Sequence, residues 1–154
     1  MSNPPVEESL DPADWEALRR LAHQAIDDGF DHLQGVRDRP VWQPVPEAIV
    51  ARLRQPAPRL PQGAESAYRE FKEIVMPYSM GNTHPRFWSW FMGNGTPFAA
   101  VGDFLAAVLN PNMGGGNHVP NHVEAQVIDW CKEIVGFPAE SSGLLVSGGS
   151  MANF

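Results

Sequence analysis

The feature that most constrains the fold is the run GLLVSGGSMANF at residues 143–154. Leu144-Leu145-Val146 reads as a short apolar strand, Ser147-Gly148-Gly149-Ser150 as a glycine turn, and Met151-Ala152-Asn153 as the opening of a helix. A strand that turns directly into a helix belongs to an α/β architecture, because the helix must return the chain across a sheet to the next parallel strand. No residues follow Phe154 for that return. The spacing therefore predicts an α/β fold that is incomplete in this chain and finished by a further polypeptide or by the remainder of the same one.

Composition bounds the rest. The 154 residues are 43% hydrophobic, enough for one ordinary core. Eighteen acidic against eleven basic residues leave a net charge of -7, which repels phosphate backbones and argues against nucleic acid and anionic membrane partners. The single Cys131 excludes an internal disulfide framework, and its place in an apolar helical pattern predicts a buried thiol in a reducing cytoplasm. MSNPPVEESLDP has neither the basic start nor the apolar run of a signal peptide, and no segment approaches the roughly 20 apolar residues of a membrane span.

Residues 1–10 read as a disordered tail. Asp11 before Pro12 predicts a helix start, with Asp14 in the first turn, and Trp15, Leu18, Leu21, Ala22, Ala25, Ile26 and Leu33 form an apolar stripe to about Leu33. Prolines at 40, 44, 46, 56, 58 and 61 leave room for one short helix over 47–53, too little for a self-contained core. A third helix is expected over 65–75, ended by Pro77. The aromatic stretch His84-Pro85-Arg86-Phe87-Trp88-Ser89-Trp90-Phe91-Met92 follows, in which Phe87 and Trp88 read best as core. Helices over 98–109 and 120–135 complete the pattern, the second capped by Gly136.

The terminal loop has a chemical reading beside the plain turn. Backbone N–H groups at a glycine turn, a serine hydroxyl and a helix N-terminus together suit a phosphate. A nucleotide P-loop needs a Gly-Lys-Ser/Thr sequence, and no lysine is present here. A nucleophile elbow at Ser150 needs an acid and a histidine downstream, where only four residues remain. On spacing alone, phosphate cradle and ordinary turn stay open.

HPRFWSWFMGNGTPFAAVGDFLAAVLN, GGGNHVPNHVEAQVIDWCKEIVGFP and GLLVSGGSMAN, in that order, resemble the N-terminal part of the group II pyridoxal phosphate-dependent decarboxylases, the family of aromatic L-amino acid, histidine and glutamate decarboxylases. The resemblance runs from about Pro12 to the end. It implies an N-terminal helical dimerisation segment over 11–95 and, over 96–154, the beginning of a fold type I (aspartate aminotransferase-like) large domain that binds pyridoxal 5'-phosphate. By the same resemblance Gly148, Gly149 and Ser150 hold the cofactor phosphate, and Trp90, Phe91, Gly93, Asn94 and Asn112 line the substrate pocket. Met92-Gly93 stands where the aromatic amino acid decarboxylases have Pro-Thr. The family's cofactor-bearing lysine, ring-stacking histidine and ring-nitrogen acid follow the phosphate loop, so no catalytic residue is assigned to this chain. The expected partners are the polypeptide that completes the enzyme, a second copy in a homodimer, and an amino acid substrate.

Three other readings stand beside this one. Lys72 and Lys132 occupy charged positions of amphipathic helices and read as solvated lysines. His118 and His122, with Glu124 and His84, evoke a zinc site, but Asn117 and Pro120 interrupt the spacing and the histidines read better as polar groups at a helix entrance; no metal is assigned. Five tryptophans among proline turns also suit a non-catalytic aromatic-rich binding or assembly module.

Overall fold

The computed structural model describes Ser9 and residues 11–154; apart from Ser9, the expected tail over 1–10 lies outside the described residues. The chain divides into two compact units, one reaching to Ala100 and one over Val101–Phe154.

In the first unit, α1 (Trp15–Gln34) starts later than the Asp11-Pro12 pair suggests. Asp14 is the cap: its backbone is extended, and its carboxylate accepts from the Ala17 N–H at 2.9 Å. That residue stands at the third helical position, whose N–H has no partner inside the helix. The short α2 (Glu47–Leu53) occupies the predicted gap between prolines. The third helix is shorter than expected: α3 (Ala64–Glu70) widens into a π turn over Phe71–Val75 and tightens into a 3-10 turn over Met76–Tyr78. Pro77 has no N–H to return to the Glu73 carbonyl, which removes the regular ladder there.

α1 packs on α3. Tyr68 donates to Asp28 at 2.5 Å and Lys72 to the other carboxylate oxygen at 2.7 Å. Beyond α1, a 3-10 turn over Gly35–Asp38 brings the Arg39 guanidinium onto the His32 ring and carbonyl. Burial, then the Arg39 charge, holds the His32 pKa below the usual imidazole range. His84 is buried, with Nδ1 accepting from the Arg86 N–H at 3.0 Å. Among the described residues only Ile74 and His84 are buried. Trp88, expected in a core, is 89% exposed, while Phe87 is half-buried.

In the second unit, the chain leaves α4 (Pro97–Leu109) through Asn110, which takes a positive φ, and enters α5 (Val119–Val135) at His118. Gly136 ends α5 in the left-handed conformation, its N–H directed to the last turn, as its position in the sequence predicts. The final element is the single turn α6 (Gly149–Ala152). Cys131 is exposed, not buried, because the half-buried face of α5 is carried by Glu124, Val127, Ile128 and Lys132.

No strand forms among the described residues, so the sheet of the expected α/β class is not displayed. The run Leu144–Val146 has no second strand to pair with, and a ladder needs one. The Leu145 N–H goes instead to the Glu124 carboxylate on α5, at 2.9 Å.

Candidate functional site: the glycine loop and its support

α6 begins on glycines. Ala152 is the first residue whose N–H closes a helical bond, to the Gly148 carbonyl at 3.1 Å, followed by Asn153 to Gly149 at 3.1 Å. The N–H groups of Gly149, Ser150 and Met151 precede that ladder and have no helical acceptor. A β-carbon at Gly148 or Gly149 would meet nothing within 4 Å, so packing within the chain does not demand glycine there. The open ground suits oxygen atoms approaching the backbone, and Ser150 is exposed beside it. These residues fit a phosphate.

The approach to the loop is held along one stripe of α5. Lys132 donates to the carbonyls of Ala139 at 2.9 Å and Ser141 at 2.8 Å, besides pairing with Asp129 at 2.6 Å. Gly143 lies so close to Ile128 that a β-carbon would stand 3.2 Å from its Cγ2. Glu124 then takes the Leu145 N–H. Sequence inspection missed these supports; the available signal was the four-residue spacing of 124, 128 and 132.

Of the expected pocket residues, Trp90, Phe91, Gly93 and Asn94 belong to the first unit and Asn112 to the second. Trp90 and Phe91 are exposed, Phe91 fully, and the Trp90 ring lies 6.1 Å from Phe87 at a tilt of 54°. The Asn94 side chain accepts from Asn82 at 3.3 Å. Asn112 shapes its own loop: Oδ1 accepts from the Gly114 N–H at 2.9 Å, and its carbonyl meets His118 Nε2 at 3.0 Å. His122 meets Asn117 Oδ1 at 3.2 Å, so both histidines are engaged at the entrance of α5. A separate cleft of about 460 Å³, bordered by His32, Arg39, Trp42, Thr83 and His84, contains none of the expected site residues.

The two lysines are less free than solvated lysines would be. Lys72 is held by Asp28, and the Lys132 amine has three oxygen partners.

No family model matches the chain. It is 30% identical over 141 residues to an aromatic-L-amino-acid decarboxylase of Bacillus atrophaeus, covering 90% of this chain and 29% of that protein. It is 27% identical over 157 residues to an aromatic-L-amino-acid decarboxylase of Catharanthus roseus, covering 99% of this chain and 31% of that one. Among solved structures, the tryptophan decarboxylase of Catharanthus roseus in complex with L-tryptophan matches with a TM-score of 0.67 at 25% identity, over 84% of this chain and 28% of that one. The chain is thus a homologue of part of the group II pyridoxal phosphate-dependent decarboxylases, as its motifs indicate. Its relatives within that group are named aromatic-L-amino-acid, tyrosine and tryptophan decarboxylases, and it spans 29% and 31% of the first two lengths. Among the described residues no helix is long and apolar enough to cross a membrane.

Proposed function

We propose that the chain is the N-terminal part of a pyridoxal phosphate-dependent amino acid decarboxylase, in which it anchors the cofactor phosphate and supplies walls of the substrate pocket. The observation that carries the reading is the glycine start of α6, whose first N–H groups precede the helical ladder and whose glycines have open space where a side chain would stand, at positions that match the family's phosphate loop. Gly148 and Gly149 admit the phosphate to the backbone, and Ser150 adds a hydroxyl donor. Trp90, Phe91, Gly93, Asn94 and Asn112 border the substrate. When bound, pyridoxal 5'-phosphate supplies the electron sink for the pair left behind as the substrate carboxylate departs as carbon dioxide. The groups that hold and protonate the reacting centre come from outside this chain. Aromatic L-amino acids are the first substrates to assay, since relatives carry those names.

The fold proposed for the assembled enzyme is the fold type I large domain beginning at about residue 96, with Leu144–Val146 joining the rim of its sheet through the Leu144 and Val146 backbone groups, on the edge opposite the Leu145 N–H. Residues 11–95 supply the homodimer contact. Exposed Trp15, Trp42, Leu60 and Trp88 give this segment apolar surface that such a partner surface would cover. An exposed, unpaired Cys131 suits a reducing cytoplasm.

The test is to purify the chain with the polypeptide that completes it, record its visible absorbance and measure release of carbon dioxide from aromatic amino acids. A yellow, active complex is expected. Ser150→Ala should lower cofactor affinity roughly ten- to a hundredfold, the usual cost of a hydrogen bond to a charged group. A colourless, folded monomer of 16.9 kDa without cofactor affinity would establish the binding-module reading instead.

A further inference from the structure

We propose that Glu124 is a positioning residue for the phosphate loop, acting as the last clamp of a zipper that lays residues 139–145 along α5. The contacts descend the helix as the chain ascends: Lys132 holds the Ser141 carbonyl at 2.8 Å, Ile128 meets Gly143, and Glu124 takes the Leu145 N–H at 2.9 Å. Helix positions four apart meet chain positions two apart. The match is metric, since four helical residues rise about 6.0 Å and two extended residues about 6.6 Å. Residues on one face of α5 therefore meet the alternate chain positions 141, 143 and 145 in register.

Each contact does a different job. Lys132 fixes the start of the segment through its carbonyls, and Gly143 permits the close approach because a side chain would press on Ile128. Glu124 satisfies a backbone donor that a neighbouring strand would otherwise take. Only Val146 and Ser147 separate Leu145 from Gly148, so the direction in which the loop N–H groups point follows from this last bond. Removing it leaves the chain free beyond Gly143, and donors that must converge on one anion lose their common aim.

The inference rests on the phosphate reading, and its test separates the two. In the assembled holoenzyme, Glu124→Met keeps a long helix-forming side chain but no acceptor, Glu124→Asp keeps the charge but withdraws it by one methylene, and Glu124→Gln keeps the oxygen. Pyridoxal 5'-phosphate affinity and hydrogen exchange at the Leu145 amide are measured for each, with Ser150→Ala as reference. Glu124→Met and Glu124→Asp are expected to loosen the cofactor about tenfold and speed exchange at Leu145, while Glu124→Gln stays within about twofold of the parent in affinity. Ser150→Ala is expected to loosen the cofactor without changing exchange at Leu145. If the Leu145 amide is freed while affinity stays parental and Ser150→Ala still weakens binding, the positioning role is overturned and the phosphate site stands. Parental affinity in Ser150→Ala removes the phosphate site itself, and this inference with it.

Discussion

The Tyr68 hydroxyl and the Asp28 carboxylate meet at 2.5 Å across 40 residues of sequence, and Lys72 holds the second carboxylate oxygen from one turn further along the same stretch. This three-residue contact ties the helix after the prolines back to α1. It shifts both acids in opposite directions. The bond from Lys72, then that from Tyr68, lowers the Asp28 pKa, whereas burial and the neighbouring carboxylate push the Tyr68 pKa up to about 12.

The pH dependence follows from those directions. Tyr68 binds its proton more tightly folded than unfolded, so its contribution is complete below about pH 10 and is lost as pH rises toward about 12. Asp28 works the other way, contributing above its ordinary value of 3.8 and losing that contribution as pH falls through its lowered folded pKa. Absorbance titration should show a late phenolate transition that belongs to Tyr68. Tyr68→Phe should delete that transition and flatten the alkaline loss of stability; Tyr78→Phe should leave both in place.

Gly81 is the backbone position least able to accept a side chain. Its φ is 82° and a β-carbon would fall 1.7 Å from the Val41 carbonyl oxygen, on backbone that cannot swing aside. Gly81→Ala should cost about 3 kcal/mol or more, combining left-handed strain with overpacking. Gly63→Ala, at nearly the same φ but with nothing within 4 Å, should cost only about 1–2 kcal/mol. Denaturant midpoints of the two variants compare these costs directly, and equal values would mean that the Val41 contact is not made in solution.

Asp14 caps α1 through a single bond to the Ala17 N–H. Asp14→Ala should destabilise the first unit by about 1 kcal/mol, and Asp14→Ser should restore most of it. Asp11→Ala should change little, because the helix starts after it. Thermal midpoints would reveal an error in the helix start if the order of the two alanine variants were reversed.

Borohydride reduction of the assembled enzyme should fix the cofactor to the completing polypeptide. Lys72 and Lys132 are each drawn into acid pairs within their own units. Peptide mass spectrometry that found the reduced adduct on either lysine would require a different site.

Much of this was legible in the residues. The 47–53 helix, the helix that opens just before Phe98 and the one ended by Gly136 are local events, decided by proline placement, apolar spacing and a glycine cap, and the structure displays them. The family relationship was likewise carried by motif order, and the relatives and the solved structure bear it out. What escaped was set by distant partners. The start of α1 turned on which of two aspartates reached a free N–H, and Trp88 and Cys131 face solvent because none of the described residues packs over them.

The sequence by itself determined which stretches become helices, because prolines, glycine caps and side-chain periodicity act within a few residues. Only the tertiary structure decided that Tyr68 and Lys72 share Asp28, and that the Leu145 N–H is satisfied by Glu124 and not by a strand. Those choices join residues 21 to 44 positions apart, where no local rule selects among the available donors and acceptors. The backbone must first bring them together, and the cost of leaving a polar group unpaired then settles which pairs form.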